Sequence, residues 1–271
     1  MKDTVTGAFG GRSSYYRLPV LRPEALAVWR RNVLVWRKLI APSLLINFGE
    51  PLIYLLGLGL GLGLFIGRMS GLPYLTFLAS GIVASSAMNT ASFEGMYSVY
   101  TRMVPQRTYD SMLATPLDVD DIIAGEMLWC ATKGTIASAA ILLVACALGA
   151  VQHVVAVLAV PAAFLIGLCF AGPAIVMTAF SRGYDFFSYY FTLVITPMFM
   201  LCGVFYPTTS LPHWLQSAVQ VLPLTHAVAL VRPLVAGQAL TDPGLHILVL
   251  LAYAAVCYYF AVILVRKRLI V

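Results

Sequence analysis

Six apolar runs, each near the length a bilayer demands of a helix, divide this chain and leave it few ways to fold. Crossing a hydrocarbon core of about 30 Å takes roughly 20 helical residues. The runs cover residues 43–66, 74–97, 127–150, 154–180, 186–206 and 245–265, bounded by charge or by Gly and Pro clusters. Water is not the main solvent of such a chain: 61% of its residues are apolar and 10% charged, against about a quarter charged in an ordinary soluble domain. The expectation is an all-α membrane protein with six transmembrane helices. A cytoplasmic N-terminal segment over residues 1–41 would precede one membrane domain over 42–271.

Cytoplasmic connections are enriched in Lys and Arg, and here the bias is strong. Lys2, Arg12, Arg17, Arg22, Arg30, Arg31, Arg37 and Lys38 precede the first run. Arg102 and Arg107 lie in the second connection, Arg182 in the fourth, and Arg266, Lys267 and Arg268 in the tail. The opposite connections hold only Arg68 and Arg232, while Lys133 falls inside the third run. Both termini are therefore expected in the cytoplasm. The net charge of +6 reads as membrane-flanking charge, so no nucleic-acid partner is expected. No cleavable signal peptide is read either, because the charged start lacks an apolar stretch ahead of a small-residue cleavage site. Cys130, Cys146, Cys169, Cys202 and Cys257 all sit in apolar runs without close-spaced pairing, as small core residues do.

Between Arg22 and Ile40, Trp29, Val33, Trp36 and Ile40 fall on a narrow arc at helical spacing, and Arg30, Arg31, Arg37 and Lys38 on another. Pro23 suits the first turn. An amphipathic helix of this kind lies in the membrane interface; it serves as a positive anchor or also helps hold a cytoplasmic partner. Near the other end, the stretch from Pro207 to Pro243 is long but still apolar, and its prolines cut it into two short segments, residues 211–221 and 224–235. Irregular backbone at membrane depth must be covered by protein or water, so a re-entrant pair of short helices is expected before the last span.

The first run contains GLGLGLGLFIG, with small-xxx-small spacings at 57/61, 59/63 and 63/67 that let helix backbones approach closely. A nucleotide-binding glycine loop would need a strand before it and a helix start after it. No G-x-x-x-x-G-K-[ST] occurs anywhere, so ATP hydrolysis by the P-loop route would require a partner. The cytoplasmic connection RMVPQRTYDSMLATPLDVDDIIAGEMLW is the most informative stretch. Tyr109, Met112 and Leu113 share one side of a short helix that Pro116 ends, and a cytosolic helix of this kind is expected to bury its apolar side in another protein. Asp118, Asp120 and Asp121 suggest either a metal-diphosphate site, which lacks its second acidic cluster here, or a cap for the third spanning helix.

These features together resemble the permease of an ABC-2-type exporter. The resemblance rests on the basic helix Arg22 to Ile40, the segment Tyr109-Asp110-Ser111-Met112-Leu113-Ala114-Thr115-Pro116-Leu117, and the late Gly203-Val204-Phe205-Tyr206-Pro207 and Leu222-Pro223-Leu224-Thr225-His226. The run Gly49-Glu50-Pro51-Leu52-Ile53-Tyr54-Leu55-Leu56-Gly57-Leu58-Gly59 further resembles the nodulation-factor exporter permeases, which move a lipo-chitooligosaccharide across the bacterial inner membrane. Related permeases for polysaccharides, lipids and drugs share much of this pattern. The resemblance implies a unit of two permeases and two copies of a separate ATPase that binds ATP and Mg, with no cofactor on this chain. It makes Tyr109, Asp110, Met112, Leu113, Pro116 and Leu117 the ATPase-coupling helix. Trp29, Arg30, Arg31, Trp36 and Arg37 would carry the interfacial helix against membrane lipids. It also implies a path between the permeases, lined by the first, second and fifth spans.

Candidate path residues are Glu50, Tyr54, Glu94, Tyr97, Tyr190 and Phe199. An ionisable residue inside a membrane is a functional candidate by default, so Glu50 and Glu94 either touch sugar hydroxyls of a glycolipid substrate or pair locally for structural reasons. Aromatic residues of the fifth span form an interface belt or stack on sugar faces. The four histidines, at 153, 213, 226 and 246, show no ligand spacing on a common helix, and no metal site is expected. An ion-coupled secondary transporter would show an internal repeat, and a membrane enzyme a clustered nucleophile, base or metal set; the chain shows neither.

Overall fold

The computed structural model describes residues 17–39, 52–151 and 153–269. Glu50, Ile40 and the first part of the 43–66 run lie outside the described residues. The chain is built from helices: α1 Ala25–Trp36, α2 Tyr54–Ile66, α3 over residues 74–103, α4 Thr108–Leu113, α5 Val119–Ala147, α6 Val154–Phe180, α7 Asp185–Leu201, α8 His213–Gln220, α9 Pro223–Ala236 and α10 Pro243–Leu269. Between α2 and α3, Arg68–Met69 and Leu72–Pro73 pair as a two-residue hairpin. Its corner residues Ser70 and Gly71 both take positive φ, as a tight primed turn requires.

Among the described residues three helices are long and apolar enough to cross a membrane: α5, α6 and α10. The α8–α9 pair, bent by 86°, makes a fourth if counted as one span. The other expected runs take different forms for physical reasons. Helix α3 is the centre of the bundle, and Ser80, Ser85, Ser86, Thr90 and Ser92 along it are buried by protein, so it does not need the hydropathy of a lipid-facing helix. Helix α7 is shorter and contains a wider π turn at Phe191–Ile195, and α2 and α3 contain one each, at Tyr54–Leu62 and Glu94–Ser98.

The third run also starts earlier than its apolar residues do. Helix α5 begins at Val119, where the Asp118 backbone N–H donates to Asp121 Oδ2 at 3.0 Å in a reciprocal capping box, and so projects two turns beyond the apolar stretch. Of the two readings of the acidic cluster, capping is the one the structure holds. The expected break before the last span is present as well: Pro212 precedes α8, Pro223 starts α9, and Pro243 starts α10.

Close packing comes from glycines other than those of the GLGLGLGL run. An added Cβ at Gly134 would meet the Ala87 backbone at 2.9 Å, at Gly167 the Ala131 backbone at 2.7 Å, and at Gly172 Cys257 Cβ at 2.6 Å. These contacts weld α3, α5, α6 and α10. In α2, by contrast, Gly59 meets the Leu75 side chain and Gly63 only touches the Tyr74 ring at 3.8 Å, while Gly57 and Gly61 meet nothing within 4 Å.

Candidate functional site

Helix α1 packs on the projecting start of α5, and a glycine sets the distance. A Cβ on Gly125 would lie 2.6 Å from both the Ala25 carbonyl oxygen and Val28 Cβ. The buried face is Ala25, Val28 and Asn32, rotated from the arc the tryptophans suggested. Trp29 and Trp36 are half-buried, and both reach α5. Trp29 Nε1 donates to Thr132 Oγ1 at 3.0 Å, and Trp36 meets Trp129 edge-on at 5.9 Å. Arg30, Leu34, Arg37 and Leu26 form the outward side. Gly125→Val is expected to lift α1 from α5 at about 1–3 kcal/mol, the usual cost of overpacking. The measurement is earlier thermal unfolding of the solubilised chain with faster proteolysis before residue 40.

Below α1 lies a buried ionic network. Glu126, fully buried, accepts from Arg102 Nε at 2.9 Å, from Arg102 Nη2 at 2.6 Å and from Asn32 Nδ2 at 3.0 Å. Glu94 accepts from Trp129 Nε1, Lys133 Nζ and Ser98 Oγ, each at 2.8 Å, with Arg102 at 3.4 Å. Glu94 is thus taken up by local pairing, at the edge of a cavity of about 380 Å³ that Arg31, Trp36, Tyr97, Thr101, Lys133 and Tyr184 also line. No local pattern signals the Glu126–Arg102–Asn32 part of this network, because its members are 24 and 94 residues apart.

The short helix α4 stands on the same network, and here the sequence reading needs correction. Tyr109 and Met112 are not bare for a partner: they are buried against Val99, Met103, Ile122, Ile123, Met127 and Cys130 of α3 and α5, with Leu113 and Leu117 packed beside them. Burial, and then the nearby Glu126 charge, hold the Tyr109 phenol well above the usual tyrosine range. What faces outward is Gln106, Arg107, Asp110, Ser111, Ala114, Thr115 and Pro116. A six-residue helix has almost no intrinsic stability, so two buried anchors are what fix its exposed side in place.

A second tie joins the far end of the chain to the same region. Arg266 of α10 holds the Asp120 carboxylate through Nε at 2.9 Å and through Nη2, and its Nη1 donates to the Arg17 carbonyl at 2.7 Å. Arg268 donates to the Thr178 carbonyl at 2.7 Å and to that of Ala179 at 3.0 Å. The basic tail is therefore built into the fold, where sequence counting saw only flanking charge.

The path candidates separate into two aromatic groups. Tyr54 meets Phe199 at 5.8 Å and Phe205 at 5.9 Å. Tyr97 stacks on Phe93 at 4.4 Å and lies parallel to Tyr184 at 6.1 Å. Tyr190 is buried in the core. On the other side of the bundle, Arg232 of α9 donates to Ser80 Oγ at 3.1 Å and to the Gly203 carbonyl at 2.6 Å, over the Phe77 ring. His226 and His246 come together across α9 and α10, with Nδ1 atoms 2.9 Å apart, a convergence that spacing on one helix does not reveal. Among the described residues no group of three or more His, Cys, Asp and Glu is placed to hold a metal ion.

A helical bundle with several apolar helices long enough to cross a membrane defines a multi-pass membrane protein. The match to known families agrees: residues 23–236 fit the ABC-2 type transporter family, and the chain belongs to it. It is 43% identical over 244 residues to Nodulation protein J of Rhizobium meliloti (strain 1021), covering 90% of this chain and 93% of that one. It is 45% identical over 244 residues to Nodulation protein J of Rhizobium leguminosarum bv. viciae, covering 90% and 94%. It is also 24% identical over 242 residues to the inner membrane transport permease YadH of Escherichia coli (strain K12), covering 86% and 92%. No solved structure matches the chain.

Proposed function

We propose that this chain is the transmembrane permease of an ATP-driven exporter that moves an amphipathic glycolipid of the lipo-chitooligosaccharide type outward across the bacterial inner membrane. It would act as two copies with two copies of a separate ATPase. The observation that carries the reading is α4: a short helix whose apolar side is rooted in the chain and whose polar side is free, in a protein with no nucleotide-binding motif of its own. Asp110, Ser111 and Pro116 then supply the docking contact, and Tyr109, Met112, Leu113 and Leu117 the root. ATP and Mg belong to the ATPase.

In this reading the chain crosses the membrane six times with both ends in the cytoplasm, α8 and α9 dip in from the outer face, and α1 lies at the inner surface. The path runs between the two permeases along α2, α3 and α7. Its support is that these three helices carry the π turns, which often mark functional sites, and that Tyr54 and Phe199 meet between two of them. Glu50 and Tyr190 remain proposed path residues, with Tyr97 and Glu94 lining the cavity. The name nodulation protein, shared by relatives above 40% identity, supports the lipo-chitooligosaccharide cargo, while likeness to YadH keeps another polysaccharide, lipid or drug in view.

The permease and its ATPase in lipid discs provide the test. Acylated chitooligosaccharide is expected to stimulate ATP hydrolysis severalfold and the deacylated sugar to have little effect, since each buried CH₂ contributes about 0.8 kcal/mol to binding. Equal response to both, or to neither, would overturn the cargo assignment.

A further inference from the structure

We propose that the cavity among α1, α3 and α5 holds the phosphodiester headgroup of an anionic membrane phospholipid, with Arg31 as the cation that meets it. The argument begins with charge. Lys133 pairs with Glu94 and Arg102 with Glu126. Arg31, which also lines the cavity, hydrogen-bonds the neutral Asn32 Oδ1 at 3.0 Å and has no carboxylate within ion-pair distance among the described residues. Among the described residues the cavity therefore carries one positive charge more than the carboxylates paired there balance. Burial, followed by the neighbouring Arg102 charge, pulls the Arg31 guanidinium below the usual arginine range, with the Glu126 charge offsetting this only in part.

Shape and chemistry specify the class. A guanidinium presents a planar fork that fits a phosphate through two parallel hydrogen bonds. Thr101 and Tyr184 hydroxyls, 2.8 Å from one another, and the Gln106 amide stand at the rim to meet a glycerol headgroup. Val35 lines the cavity and is half exposed, as is Leu34 on the same helix, which gives acyl chains an apolar exit. Inorganic phosphate would gain nothing from that exit. The inference rests on the reading that α1 lies at the inner membrane surface; it does not depend on the cargo or the ATPase.

The delipidated full chain would be studied by native mass spectrometry with phosphatidylglycerol, phosphatidylcholine or inorganic phosphate added. Phosphatidylglycerol is expected to be retained through activation and to raise the thermal midpoint of the unmodified chain, with phosphatidylcholine doing neither. Arg31→Gln should lower retention by about tenfold, the scale of one lost charge-assisted pair, and Arg31→Lys, which keeps the charge but loses the fork, by a smaller factor. Arg30→Gln removes the same charge from the outward face and should change little. Equal losses in Arg30→Gln and Arg31→Gln would mean general surface attraction and overturn the site. Displacement of phosphatidylglycerol by millimolar phosphate would reassign it to a free anion and overturn the lipid. The midpoint measurement on the unmodified chain stands even if Arg31→Gln fails to fold. ATPase capture is read separately, so failure here would not be confused with failure of the exporter reading.

Discussion

Arg102→Leu is expected to lower folding stability by about 3–5 kcal/mol, the usual cost of leaving a buried ion without its partner. Arg102 supplies both charged hydrogen bonds to Glu126, which has no solvent exposure and, among the described residues, otherwise accepts from the neutral Asn32 amide. Glu94 loses less, since Lys133, Trp129 and Ser98 remain. The deficit should therefore sit on Glu126, and Arg102→Leu combined with Glu126→Gln should recover more than half of it. A double-mutant cycle on thermal unfolding by size-exclusion fluorescence reads this directly. Additive losses would show that the pair is not coupled.

The second large effect is at the root of α4. Tyr109→Ala removes a fully buried ring and is expected to cost about 3–5 kcal/mol, as buried aromatic truncations do, releasing the short helix and with it ATPase capture. Tyr109→Phe is the informative contrast. The Tyr109 hydroxyl is buried with no hydrogen-bond partner among the described residues, so its removal should be neutral or mildly stabilising and capture should persist. Asp110→Arg, on the exposed side, is expected to weaken capture while leaving the thermal midpoint unchanged. Together these variants separate the root of the helix from its docking surface.

How much of this was legible in the sequence depends on range. Local chemistry was readable: proline placed the breaks around α8 and α9, Asp118 and Asp121 the start of α5, and Pro116 the end of the segment carrying α4. Family membership followed from the same motifs. Facing was harder to read. The periodicity around Trp29 and Trp36 showed that α1 has two sides, but the side that packs was decided by a glycine at position 125 that the helix itself does not contain. Tyr109 and Met112 looked like an interaction face because helical spacing shows which side of α4 is apolar but not that Ile122, Ile123 and Met127 of α5 cover it. Long-range pairings were the least visible: Asp120 with Arg266 is separated by 146 residues, and His226 meets His246 only because α9 folds back along α10. Hydropathy likewise could not tell α3, enclosed by protein, from a helix that faces lipid.

The central claim is that the outward side of α4 seats a separate ATPase. A photo-crosslinking residue at Ser111, exposed on that side, tests it in intact cells when compared with the same probe at exposed Leu240 in the α9–α10 connection. The account predicts a covalent adduct at 111 that mass spectrometry identifies as a P-loop ATPase, and none with that protein at 240. An ATPase adduct at 240 and not at 111, or cargo transport by the purified chain with no ATPase present, would contradict it.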